Sequence, residues 1–119
     1  MYSGIGDLSG KSSTEIAIAD IFFHVHGDVD RALAFYRVSL AGKQQLSDPR
    51  SMGHIWRSMA MIELMKRDIA TSISFMVRAV IVDRQTHSSY LEADLHVLAS
   101  TKALLAEMVA ADRTQVVSS

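Results

Sequence analysis

The chain has no cysteine, a single proline, a single tryptophan and no excess of either charge. Without cysteine there is no disulfide, no thiolate metal site and no cysteine nucleophile, which suits a reducing compartment. Its twelve Lys+Arg and thirteen Asp+Glu are scattered singly or in pairs. They form neither a phosphate-tracking stripe nor a polybasic membrane patch, so nucleic-acid and membrane partners are not expected. The longest apolar stretch, Ile16 to Val25, is broken by Asp20 and His24 and is too short to span a bilayer. The polar segment Met1 to Ser13 has no basic flank leading into an apolar run, so no secretory leader is read. A cytoplasmic location is the expectation.

What the chain does have is apolar surplus. Hydrophobic residues make up 49% of its 119 residues against 21% charged. One domain of this length buries roughly two-thirds of its unfolded surface, so some apolar surface is left to be covered by another molecule.

The pattern is helical throughout, and no stretch alternates convincingly at strand period. Residues 1–12 read as a flexible arm. Ser12 and Glu15 have capping-box spacing and predict a helix from about Ser12 to Gly27. Asp28 caps a second helix to about Gln45, with Val29, Leu33, Tyr36 and Leu40 on one face. Ser47-Asp48-Pro49 supplies a break, a cap and a first-turn proline for a third helix to Lys66. Asp68 opens a fourth, and Ser89 with Glu92 a fifth, running to about Ala111. The domain is expected to span residues 13–111, with 112–119 a loose tail.

Within this pattern the chain matches itself at an offset of 40 residues. Asp28 to Leu40 aligns with Asp68 to Val80: Asp28/Asp68 and Phe35/Phe75 are identical, and Val29/Ile69, Ala32/Ser72, Leu33/Ile73, Ser39/Ala79 and Leu40/Val80 are equivalent. Such self-similarity marks stacked helical units.

The stretch Gly27-Asp28-Val29-Asp30-Arg31-Ala32-Leu33-Ala34-Phe35-Tyr36, with Ser39 beyond it, resembles the turn and second helix of a tetratricopeptide repeat (TPR). Trp56 and Ala60 stand at the family's first-helix positions in the second unit, and Ser72, Phe75 and Ala79 at its later ones. The chain departs from the family in its 40-residue spacing, against about 34, in Asp20 at a small-residue position, and in Arg67 at the turn glycine. The resemblance implies an all-α, right-handed superhelix of about five antiparallel helices: two hairpins and a C-terminal capping helix. Phe35, Tyr36, Trp56 and Phe75 would hold the pairs together.

The resemblance also implies a concave groove lined by the first helix of each unit. By position it would hold Ala17, Ile21, His24 and Val25 from the first unit, and His54, Arg57, Met61, Leu64 and Met65 from the second. Ala17 and Ile21 stand where the subgroup that clamps acidic C-terminal tails carries Lys and Asn, so that activity is not expected. The groove is apolar and rich in Met, which suits a partner's helix or extended hydrophobic segment. The expected function is protein binding by a small adaptor or chaperone; small TPR-like chaperones of bacterial secretion systems are similar in size and groove. The same residues could instead pack on the chain's own last helix, or build a homodimer or a self-assembling homo-oligomeric subunit.

Chemistry finds less support. Gly10-Lys11-Ser12 lacks the glycine five positions earlier, where Ile5 stands, and lacks a preceding strand, so it is no phosphate loop. Asp20/His24 and Glu92/His96 lie one helical turn apart, but no Glu-x-x-His pair supports a di-iron bundle. A metal-binding bundle is the weakest alternative, and neither metal nor other cofactor is expected. Glu63 reads as a surface ion-pair partner of Lys66 and Arg67. No nucleophile elbow or carboxylate cluster suggests an enzyme.

Overall fold

The computed structural model describes the backbone of residues 5–118 and the side chains of residues 7–113. It is all helical, with no strand among the described residues: α1 (Ile5–His24), α2 (Val29–Gln45), α3 (Pro49–Met65), α4 (Ile69–Thr86) and α5 (Leu91–Ser118).

Three aspartates punctuate the chain. Asp28, Asp48 and Asp68 each precede a helix and accept the backbone N–H three residues on, at 3.2, 3.3 and 3.2 Å. Such a cap satisfies one of the donors a helix start leaves unpaired. Immediately before these caps stand Gly27, Ser47 and Arg67, with φ of 64°, 54° and 68°; His87, at 52°, precedes Ser88 in the same way. The N–H groups of Asp48, Asp68 and Ser88 return to the carbonyls of Lys43, Glu63 and Asp83 at 3.0, 2.9 and 2.9 Å. A left-handed residue closed by such a bond ends one helix, and the cap after it begins the next. The chain therefore reverses at 27/28, 47/48, 67/68 and 87/88, a spacing twice as fine as the 40-residue match.

α1 lies along α2 and α3 along α4; the two hairpins meet through α2 and α3, and α5 rests on α4. Tyr36, Ile55, Met59, Ile62 and Met76 form the centre of the core. Inside the hairpins, Phe22 stacks on Phe35 with ring centres 5.7 Å apart, and Trp56 meets Phe75 at 5.5 Å. Tyr36 and Trp56 are buried, whereas Phe35 and Phe75 are half-buried. The 40-residue match recurs in burial, since Ala32/Ser72, Tyr36/Met76, Ser39/Ala79 and Leu40/Val80 are buried in both units. Small residues at these places let helices approach, and Ser72 Oγ donates to the Ala60 carbonyl across the α3–α4 contact at 2.7 Å.

The ends depart from expectation. α1 begins at Ile5, so the capping box at Ser12 is not its start and the expected arm is largely its first turns. Ser12 is buried, and its Oγ fills the space a side chain on Gly42 would need. This close approach of α1 to α2 anchors the early turns. α5 begins at Leu91 rather than at Ser89, and it is Ser88 Oγ that accepts the Tyr90 N–H, at 3.1 Å. At its far end α5 continues to Ser118, so residues 112–118 of the expected tail prolong the helix. Residues 1–4 and 119 of the expected arm and tail lie outside the described residues. Glu63 is buried rather than at the surface, and Lys66 reaches Asp30 instead, at 2.9 Å.

Candidate partner-binding cleft

A cleft of about 670 Å³ opens between the end of α1, the outer face of α3 and the α4–α5 turn. Phe23 and His24 come from α1; Arg50, His54, Arg57, Ser58 and Met61 come from α3; Asp83 and Thr86 to Tyr90 close the far side. Residues 50, 54, 57 and 61 are spaced by three and four, which places them on one helical face.

The floor is a buried charge cluster. Arg57 Nε donates to both oxygens of Asp94, at 2.8 and 2.9 Å, and its Nη2 reaches Asp83 Oδ1 at 3.4 Å. Its guanidinium also lies over the Tyr90 ring, 4.4 Å from the centre, a favourable cation–π placement. Both carboxylates are 2% exposed. One guanidinium thus faces two acids. Burial, followed by the hydrogen bond and repulsion from Asp94, pushes the Asp83 carboxyl up to about 6, with Arg57 opposing the rise. Asp83 Oδ2 has no donor near it.

A second polar set joins the first three helices. Asp20 of α1 accepts the Tyr36 hydroxyl of α2 and lies 3.1 and 3.3 Å from His54 Nε2 of α3. Burial first, then the bond to Asp20, raises the Tyr36 phenol well above its usual value. Asp20, unexpected for a TPR-like first helix, thus ties the hairpins together. Its partner is His54 and not His24 one turn away. Among the described residues, no three His, Asp or Glu side chains converge as a metal site would need.

Of the nine residues expected in the groove, His24, His54, Arg57 and Met61 line this cleft. Ala17, Ile21, Val25 and Met65 are exposed outside it, and Leu64 is half-buried. Arg57 is held by Asp94, Asp83 and Tyr90, so it builds the floor. The cleft also gathers Arg50, His87 and Tyr90, none of which was expected in the groove. Only the period from His54 back to Arg50 could have found one of them. The other two come from a turn whose position α5 decides.

Compared with family models, with curated proteins and with solved structures, the chain matches none.

Proposed function

We propose that this chain is a protein-interaction module, a small adaptor or chaperone of TPR-like build, whose cleft receives a helix or extended apolar segment of another protein. The observation that carries this reading is apolar exposure on the two helices, α1 and α3, that supply much of the cleft. Ile21 is 50% exposed, Val25 71%, Met61 39% and Met65 59%. Side chains of this size are normally drawn into a core, and several left exposed on the lining helices suit a contact site. Methionine at two of the four suits it, because an unbranched thioether adapts to varied partners.

The chemistry of the partner follows from the rim. Arg50 and His87 bring basic groups to the rim, while Arg57 is held by Asp94 and Asp83 and His54 by Asp20. The segment that fits is apolar on one face and acidic at its edge. Stacked hairpins in a right-handed superhelix would present α1 and α3 together in this way, as the TPR resemblance implies. A cytoplasmic setting and a binding rather than a catalytic role belong to the same proposal. No helix among the described residues is long and apolar enough to cross a membrane.

Affinity capture with the tagged chain, its Ile21→Lys variant and its Met61→Glu variant tests this. Both positions are exposed, so circular dichroism melts should match the wild type while the captured partner is lost. Partners retained by both variants would refute the reading. A collapse of helicity would assign these side chains to the core instead.

A further inference from the structure

The two acids in the floor of the cleft are not equally held. Arg57 Nε donates to both oxygens of Asp94, at 2.8 and 2.9 Å, whereas Asp83 receives only Nη2, at 3.4 Å, on Oδ1. Asp83 Oδ2 has no partner, and both carboxylates are 2% exposed. Asp94 is therefore the ion that Arg57 balances, and Asp83 is the surplus acid. α3 hems it in, since a side chain on Gly53 would stand 3.4 Å from Asp83 Oδ1. A buried carboxylate so poorly bonded favours its protonated form.

The groups that act on Asp83 come from each element around it. Arg57 is the cation from α3, Asp94 the competing acid from α5, and Ser88 a hydroxyl from the turn. Arg50 and His54 of α3, His24 of α1 and His87 line the same cleft, with His54 held by Asp20. Burial, then Asp94, pushes the Asp83 carboxyl up to about 6 from 3.8. Its proton leaves as pH rises through that value, and the floor is then left with two buried anions on one guanidinium.

Packing decides which element yields. α3 and α4 meet in the core around Ile55, Met59, Ile62 and Met76. α5 is the last helix and rests on α4. Among its described residues only Asp94 and Thr101 are buried. Thr101 gives its hydroxyl to the Val97 carbonyl of the same helix, at 2.7 Å, so the polar hold on α5 centres on Asp94. Before α5 the chain passes His87, left-handed at φ 52°, and the exposed Ser89 and Tyr90. Such a turn has few buried contacts to break and can serve as a hinge.

We propose that α5 is a pH-gated flap: loss of the Asp83 proton drives the start of α5, with Asp94 and Tyr90, off Arg57 and opens the floor of the cleft. Once the acids separate, Arg57 is free to pair with Asp83, and the charge is balanced again without unfolding α3 or α4. The flap is closed on the acid side of the Asp83 pKa and loosens on the alkaline side. It operates without a partner, so it stands apart from the binding role proposed above.

Hydrogen exchange of the full chain between pH 5 and pH 8, corrected for the intrinsic rate at each pH, tests the flap. Protection of residues 94–104 should fall about tenfold over that range, the change allowed by a carboxyl near 6 when closed and near 3.8 when open. Residues 55–62 of α3 should keep theirs. Asp83→Asn and Asp94→Asn each leave one acid for one guanidinium and every other charge in place. Both should therefore give α5 equal protection at the two ends of the range. An α5 whose protection is flat with pH in the wild type overturns the proposal, as does an α5 already unprotected at pH 5. A parallel loss in α3 and α5 means global destabilisation and also overturns it. So does a fall that survives in either variant.

Discussion

Arg57 of α3 and Asp94 of α5 are joined through one nitrogen: Nε donates to both carboxylate oxygens, at 2.8 and 2.9 Å. With Asp83 of α4 beside them, three helices meet at one guanidinium. The floor of the cleft and the attachment of α5 are therefore one structure.

Removing that guanidinium strands two buried acids. Arg57→Ala should lower unfolding stability by about 3–5 kcal/mol, the cost of breaking a buried pair by deleting one member. Arg57→Lys should recover only part, since an ammonium cannot reproduce the planar fork. Urea unfolding measures both. A loss under about 1 kcal/mol for the alanine variant would mean the cluster is solvated and structurally idle.

Asp83 should make stability fall as pH rises. Its native pKa is pushed up to about 6 from 3.8, so between these values the folded state keeps a proton the unfolded state has lost. The contribution is complete below about pH 4 and is lost as pH passes 6, amounting to roughly 2–3 kcal/mol. Asp83→Asn, which has no proton to lose, should match the wild type near pH 4 and exceed it by that amount at pH 8. Parallel pH profiles for the two proteins would contradict this.

At Arg67 the backbone adopts a conformation that an L side chain resists. Its φ is 68°, and the equivalent position one unit earlier is Gly27 at 64°. Arg67 is exposed, so little packing is lost in exchanging it. Arg67→Gly should stabilise the protein by about 0.5–1 kcal/mol, the relief of left-handed strain less the entropy of glycine. A lower melting temperature in the variant would show that the arginine side chain holds the turn.

Neighbouring aromatics in α2 should differ in consequence. Tyr36 is wholly buried and hydrogen-bonded to Asp20, whereas Phe35 is half-buried against Phe22. Tyr36→Ala should cost about 3–5 kcal/mol and Phe35→Ala distinctly less. Tyr36→Phe isolates the hydroxyl and should cost about 1–2 kcal/mol. Thermal melts that rank Phe35→Ala as the worse change would reverse this assignment.

The helices themselves were legible because their signals are local. An aspartate at a cap, the lone proline at a first turn and apolar residues stepping by three and four act within one turn of the chain, whatever surrounds them. Asp28, Asp48 and Asp68 fixed where α2, α3 and α4 begin. The left-handed residues before them were half hidden: Gly27 announces itself, but Ser47, Arg67 and His87 take the same conformation because the reversal demands it, not because they favour it.

Part of the site was legible in the same way. The 3.6-residue period set His54, Arg57 and Met61 on one face of α3. It could not say which of them solvent would reach. Arg57 looks like a partner-facing cation until Asp83 and Asp94, distant in sequence, arrive beneath it.

Local rules in the sequence thus determined the helical class, the 40-residue duplication and three of the five helix starts. Tertiary contact decided the rest. Ser12 against Gly42 extends α1 back to Ile5, and the packing of α4 on α3 and α5 buries Asp83 and Asp94. It also leaves residues 106–113 of α5 exposed. Burial and pairing depend on residues brought together from distant parts of the chain, and periodicity along a single helix carries no information about which neighbour will come.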